Sequence, residues 1–309
     1  MKLSNREQMI KRKHFLDERA LWIMLIPVII YFVLFKYAPV YGIIIAFQRF
    51  SPFKGMLNSP WVGFQYFQQF FDSVYFGRVM RNTLGIGMVT LIFGFPMPII
   101  LAIMLNGLKN RTFRKTTQTL TLLPYFVSVV VIASIFINFL SPSTGIVNKI
   151  ITIFGGEPVF FMQEPKYFWG IYTIMKIFKQ TGYDAIIYMA ALIIIDPTLY
   201  EAAEVDGAGK LKQLVNVTLP CLTPTIIIMF LMRVGRIIDI AFEEVLLLQN
   251  DVILETSEVI STFVYRRGLI GADYSYATAV GLFQTVVALI LVFSANAIAR
   301  RFRSDSALF

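Results

Sequence analysis

Two apolar stretches, each long enough to cross a lipid bilayer, flank a polar island that a bilayer interior would reject: residues 201–224, EAAEVDGAGKLKQLVNVTLPCLTP. The island must lie in water at one face of a membrane, and the stretches on either side must return to that same face. Inside hydrocarbon every backbone N–H and C=O has to be satisfied by the chain itself, so segments of about 20 apolar residues can cross only as helices. The island has its own local grammar. Asp196-Pro197 marks a helix boundary or first turn, because proline restricts the residue before it and suits the first helical position. Glu201, Ala202, Ala203 and Glu204 favour helix, with carboxylates toward the positive end of its dipole. Gly207 and Gly209 interrupt that pattern, and Leu211 to Leu219 resume it before Pro220. The expectation is a short helix, a glycine turn and a second short helix held against the membrane, which is a docking element.

The same logic along the chain gives an all-α, polytopic membrane protein with six transmembrane helices. Apolar residues make up 57% of the 309 and charged residues only 15%. Mean hydropathy is +0.67, outside the range of an ordinary soluble domain. The expected spans are about 20–47, 84–105, 120–140, 167–195, 222–248 and 276–299, with an amino end over 1–19, a polar loop over 196–221 and a tail over 300–309. The basic start resembles that of a signal peptide, yet Lys36, Tyr37 and Pro39 stand where small cleavage-site residues belong, so the first span is expected to be retained. Lys36 is expected to snorkel to the interface. Pro96 and Pro98 predict a bend in the second span, residues 48–82 an aromatic interfacial cap, and Ile146 to Phe154 a short amphipathic helix. The fourth span is expected to be interrupted at Gly182. The single cysteine, Cys221, leaves no disulfide framework.

Positive charge sets the expected orientation. Of 28 Lys and Arg residues, fifteen fall in segments on the side of the amino end, eight on the opposite side and five within spans. By the positive-inside rule both termini and the Glu201 island are cytoplasmic. A formal charge of +9 placed in this way argues for a membrane surface and against nucleic acid.

Chemistry of other kinds is missing from the sequence. No GxxxxGK[ST] phosphate loop occurs. The lone His14 forms no metal-ligand cluster and no Ser-His-Asp arrangement. No catalytic and no metal site is expected, and active transport would draw its energy from a partner. The polar residues of the spans carry the functional expectation instead. In the fifth, Arg233, Arg236, Asp239, Glu243 and Glu244 fall within about 140° of one continuous helix at 100° per residue. That stripe must face protein or water, since a charge at the bilayer centre costs roughly 2.5–3.5 kcal/mol. Either it walls a substrate pathway, or it forms an ion network pinning the helix to a neighbour. In the fourth, Lys176, Lys179, Tyr183, Asp184 and Tyr188 gather near mid-depth, with Lys179 about 18 Å along the helix and Asp184 about 26 Å. Gly182 among them is either a backbone opening to substrate or a packing glycine. Arginines at the pathway would suit a carboxylate, but the neighbouring acids would neutralise them, so acidic and neutral sugars both fit.

The island resembles the cytoplasmic EAA loop of permease subunits in binding-protein-dependent ABC importers: Glu201-Ala202-Ala203, Asp206-Gly207-Ala208 and Pro220 fall at that family's spacing, with Leu214, Val217 and Leu219 at its apolar positions. The stretches PVYGIIIAFQRFSPF, ISTFVYRRG and YSYATAVGLFQ are similar to the branch that imports complex oligosaccharides and aldouronate-type sugars. The resemblance spans the chain. It implies a bacterial inner-membrane protein, docking of Glu201 to Pro220 in a groove on an ATPase subunit, and an oligosaccharide substrate. It also implies a second six-span permease, two ATPase subunits holding ATP and Mg, and an extracytoplasmic sugar-binding protein; this chain would bind no cofactor. Arg266 and Arg267, in the outer loop where such binding proteins dock, either pair with acidic groups there or form an ordinary solvated face. The rival readings are a permease for another small solute and a secondary transporter, which would show duplicated halves; no internal repeat is present, and a secondary transporter gives no reason for the Glu201 island.

Overall fold

Apolar runs of this length close their backbone hydrogen bonds internally, and the chain is helical almost throughout. The computed structural model describes Arg19 and residues 21–302, the last five by backbone alone. The basic amino end with His14 and the tail from Arg303 lie outside the described residues. Helix α1 spans Leu21–Phe47 and tightens into a 3₁₀ run over Ala38–Phe47. There follow α2 (Gln65–Phe71), α3 (Val74–Gly94), α4 (Pro96–Asn106), α5 (Arg111–Phe126), α6 (Val129–Phe139), α7 (Ile146–Ile153), α8 (Phe168–Ile193) and α9 (Pro197–Val205). Helix α10 covers Lys210–Gly235. Then come α11 (Phe242–Leu248), α12 (Leu254–Ser257), α13 (Ile260–Val264) with a π turn over Tyr265–Ile270, and α14 (Tyr274–Phe302). No β-sheet forms among the described residues; one isolated bridge joins Gln48 to Trp61.

Four stretches are long and apolar enough to cross a bilayer alone: α1, α3 with α4, α10, and Tyr274–Ala297 of α14. Two more crossings arise if each bent pair counts as one, α5 with α6 and Pro165–Ile193 with α9. Helix α8 is the hub, with α3, α4 and α5 packed along it. Ile86, Ile132, Phe168, Tyr172, Met175 and Val245 make one buried cluster, joining α3, α6, α8 and α11. A second joins Phe70, Val79, Phe263, Tyr276 and Val280 beside α14. By contrast, every α1 side chain from Leu21 to Tyr41 is exposed in this chain.

Several expectations change. The stretch expected as a bent second span is interrupted only at Phe95, which keeps helical angles of −68° and −40° ahead of Pro96. The stretch expected as one third span is two helices meeting at 100°; Val127 and Ser128 are extended, with ψ of 138° and 140°. The two halves pack differently: α5 lies along α8, whereas α6 packs chiefly on α11. Helix α8 runs unbroken through Gly182, because a Cβ there would overlap the Thr121 carbonyl oxygen and glycine lets α5 and α8 approach backbone to backbone. Gly182 is a packing glycine. The continuous fifth helix expected over 222–248 begins earlier, at Lys210, and stops at Gly235. Residues 236–241 are non-helical before α11, so the common arc assigned to Arg236, Asp239, Glu243 and Glu244 does not exist.

Candidate functional site

The break after α10 turns its charges into a cavity of about 400 Å³ enclosed by α3, α5, α8 and α10. Lys176, Tyr183, Asp184, Arg233, Arg236 and Asp239 all line it, together with Tyr125 and Gln180. Two of its cations are already committed. The Lys176 ammonium donates to both Glu244 oxygens at 2.9 Å, and Arg233 is ion-paired to Asp184. These pairs are largely buried, with side-chain exposures of 17% and 8% for the first and 22% and 17% for the second. They therefore join α8 to α10 and α11, and removing one partner would strand the other. Arg236 and Asp239 differ: both are exposed to the cavity and neither forms an ion pair among the described residues. The break is held by backbone bonds, from the Arg236 amide to the Arg233 carbonyl and from the Asp239 amide to the Arg236 carbonyl, each at 3.0 Å.

Both alternatives read from the sequence are present side by side, with Lys176 and Arg233 in an ion network and Arg236 and Asp239 facing open space. Tyr183 stacks on Tyr125 with centroids 3.9 Å apart and planes 5° from parallel. The pair gives the cavity a flat aromatic wall, a surface suited to the C–H face of a pyranose. Tyr125 was not singled out from the sequence, because it lies in another helix and only the packing of α5 along α8 sets it against Tyr183. Lys179 and Glu243 line a separate recess of about 550 Å³ beside Val127 and Ser128. Tyr188 is buried among Ala102, Ala185 and Leu222, in the core rather than the cavity.

The polar island takes a well-defined shape. Asp196 caps α9, its carboxylate accepting from the Thr198 amide at 2.9 Å. The backbone amide first, and then the Thr198 side chain, hold its pKa below the usual aspartate value. Helix α9 contains Glu201, Ala202 and Ala203. It ends in a left-handed Gly207 at φ 74°. The Gly207 amide donates to Glu204 and the Ala208 amide to Ala203, at 3.0 and 2.8 Å, the paired bonds of a Schellman stop. No separate second short helix follows. Pro220 lies inside α10, where a π turn over Leu214–Thr218 precedes it and takes up the missing N–H donor. Tyr200 and Thr218 hydroxyls, 3.0 Å apart, tie α9 to the foot of α10. The outward face carries Glu201, Glu204 and Asp206 beside bare apolar groups, Val205 at 88% and Leu211 at 75% exposure.

Of the two arginines expected at a docking surface, Arg266 is paired to Glu258, a carboxylate only 1% exposed. Arg78 of α3 holds the same carboxylate from the other side. Arg267 is exposed and lies over the Tyr75 ring, 5.3 Å from its centroid. No group of three or more His, Cys, Asp or Glu residues among the described residues is placed to hold a metal.

Residues 94–304 match the family model of the binding-protein-dependent transport system inner membrane component. Protein LplB of Bacillus subtilis (strain 168) is 40% identical over 288 residues, 93% of this chain and 91% of that protein. The polygalacturonan/rhamnogalacturonan transport system permease protein YteP of the same organism is 40% identical over 299 residues, 96% of this chain and 93% of its own. Among solved structures, a chain of a bacterial ABC transporter involved in the import of the acidic polysaccharide alginate superposes with a TM-score of 0.86 at 42% identity, covering 97% of this chain and 100% of that one.

Proposed function

The chain belongs to the family of binding-protein-dependent transport system inner membrane components, and from that premise we propose that it carries acidic oligosaccharides across the cytoplasmic membrane through the cavity beside Arg236. As a member it is the membrane permease component of an ABC-type carbohydrate importer and contributes part of the translocation pathway. The observation that carries the finer reading is the division of charge in the cavity: Lys176 and Arg233 are engaged by Glu244 and Asp184, while Arg236 is left open to a ligand. A guanidinium fork matches a carboxylate in two parallel hydrogen bonds. Asp239 accepts from sugar hydroxyls, and the Tyr125–Tyr183 wall takes a ring face. The likeness to a transporter of alginate and to a permease named for polygalacturonan and rhamnogalacturonan supports an acidic substrate.

In this reading both termini are cytoplasmic, in line with the distribution of Lys and Arg. Residues 201–220 dock on an ATPase subunit; the rigid Asp196-to-Gly207 unit with its bare apolar face supports that role. A second permease completes the pathway, two ATPase subunits supply ATP and Mg chemistry, and an extracytoplasmic binding protein delivers the sugar, with Arg267 rather than the engaged Arg266 offering exposed charge to it.

The test is uptake into proteoliposomes by the complete complex with its binding protein, comparing oligouronides with neutral oligosaccharides of equal length. ATP-dependent uptake of the oligouronide and little of the neutral sugar is expected. Preferential neutral uptake would overturn the acidic reading, and uptake without ATP would restore the secondary-transporter alternative.

A further inference from the structure

A third cavity lies away from the charged one. It is a groove of about 620 Å³ between α4 and α5, lined by Met97, Leu101 and Met104 on one side and Thr117, Leu120 and Pro124 on the other, with Gly182 of α8 at its floor. Its walls are almost wholly apolar. The Thr121 hydroxyl beside them donates back to the Thr117 carbonyl at 2.9 Å, so its proton is already engaged within α5. Met104 is 65% and Leu120 59% exposed. Such a groove accepts hydrocarbon and not sugar.

Beyond one end of the groove lies the turn that joins α4 to α5, and there the chemistry changes sharply. Lys109, Arg111, Arg114 and Lys115 crowd into seven residues, and no Asp or Glu occurs between Asp72 and Glu157. None of the four forms an ion pair among the described residues. Helical spacing brings Arg114 to the edge of the groove's face of α5, with Lys109 and Arg111 at the start of that helix. Phe113, Thr117, Leu120 and Pro124 follow at i, i+4, i+7 and i+11, on one face of α5, and Arg114 lies one turn before Thr117, about 4.5 Å along the axis. Phe113 is 57% exposed, an apolar lip beside the cationic rim.

We propose that this groove binds an anionic phospholipid, with an acyl chain between α4 and α5 and the headgroup phosphate on Lys109, Arg111 and Arg114. Charge complementarity selects the occupant: a hydrocarbon slot ending in unpaired cations at a membrane interface matches a lipid with one apolar end and one anionic end, and juxtamembrane cations each favour such headgroups. The bound lipid braces α5, whose last turn carries Tyr125 into the charged cavity, so the site is placed to tune the pathway without touching substrate. It depends on the membrane-spanning arrangement and not on the identity of the sugar.

Native mass spectrometry of the intact transporter, released from detergent with added phosphatidylglycerol or phosphatidylcholine, tests this. The wild-type complex should retain phosphatidylglycerol about tenfold over phosphatidylcholine. The triple variant Lys109→Gln, Arg111→Gln, Arg114→Gln should bring that ratio near one, and Lys109→Arg, Arg111→Lys, Arg114→Lys should keep it. Ile100 also lines the groove, so Ile100→Trp, which fills it without changing charge, should also lower phosphatidylglycerol retention while the complex still assembles. No preference in the wild type, or a preference that survives the neutral triple variant, overturns the proposal. Full retention in Ile100→Trp overturns it too, by reducing the effect to surface attraction. A photo-crosslinker at position 100 should label lipid; a crosslink to the second permease instead would show that protein covers the groove.

Discussion

At Arg233 and Arg236, three residues apart, the same side-chain type is under opposite constraints. Arg233 is tied to Asp184 in a largely buried pair, so Arg233→Gln leaves an uncompensated carboxylate and should destabilise the complex by about 3 kcal/mol. Its thermal midpoint should fall, and uptake of every sugar should drop together. Arg236→Gln removes an exposed fork that forms no ion pair among the described residues, so stability should hold while uptake of oligouronides falls at least about tenfold, the loss of its charge-assisted pairing to a carboxylate. Neutral-sugar uptake in the same vesicles is the control, and equal losses for both sugars would speak against a carboxylate contact. Asp196 gives a pH signature. Its folded pKa lies below the ordinary value because it accepts from the Thr198 amide, so its contribution is complete above the unfolded aspartate pKa and is lost as pH falls through the folded one. Hydrogen exchange at the first amides of α9 should therefore quicken only in acid below the ordinary aspartate range. Asp196→Asn keeps a capping side chain and should abolish that step.

The elements that matter most are those that stop. Helix α9 stops at Gly207 because a left-handed residue there satisfies the last carbonyls, and a side chain at φ 74° is strained even though open space surrounds it. Gly207→Ala should cost about 1 kcal/mol locally, and Gly207→Trp should weaken ATPase association or sugar-stimulated hydrolysis while membrane insertion is unchanged. Pull-downs and ATPase assays on fully expressed protein decide this, with Glu201→Lys as the second variant; normal assembly and hydrolysis in both would remove the docking role. Helices α5 and α8 make the opposite case, since Gly182 is required by contact and not by turn. Gly182→Ala would force α5 off α8 at Thr121 and should destabilise by roughly 2 kcal/mol, visible as a lower thermal midpoint of the assembled transporter.

Across the whole molecule, the long connection between α11 and α14 is bound into the bundle rather than draped over it. Arg78 and Arg266 both grip Glu258, Asn82 donates to the Glu255 and Glu258 carbonyls at 2.9 and 3.0 Å, and Trp169 donates to the Thr256 carbonyl at 2.9 Å. The segment thereby fastens α3, α8 and the turn after α13 into one body. Glu258→Gln would leave two guanidiniums facing each other across a neutral amide, one of them more than a third exposed and so partly screened by water. A loss of about 2 kcal/mol is expected, and Glu258→Gln combined with Arg266→Gln should recover part of it in the same melting assay.

The sequence by itself determined the class of fold, the apolar crossings, the boundary at Asp196-Pro197 and the glycine stop of the island. These depend on hydropathy, proline and glycine, whose effects are local and need no partner. The grouping of Lys176, Asp184, Arg233 and Asp239 was also legible, because charges in apolar segments have few tolerable places to go. The tertiary structure alone decided which charges are paired and which are open. That choice turned on two breaks, at Val127–Ser128 and at residues 236–241, neither marked by a proline at the break. Each arises where the chain leaves one packing partner for another, a competition between contacts distant in sequence that periodicity does not record. Helix packing put Tyr188 in the core and Tyr125 in the cavity, since a helix face is functional only by virtue of what packs opposite it.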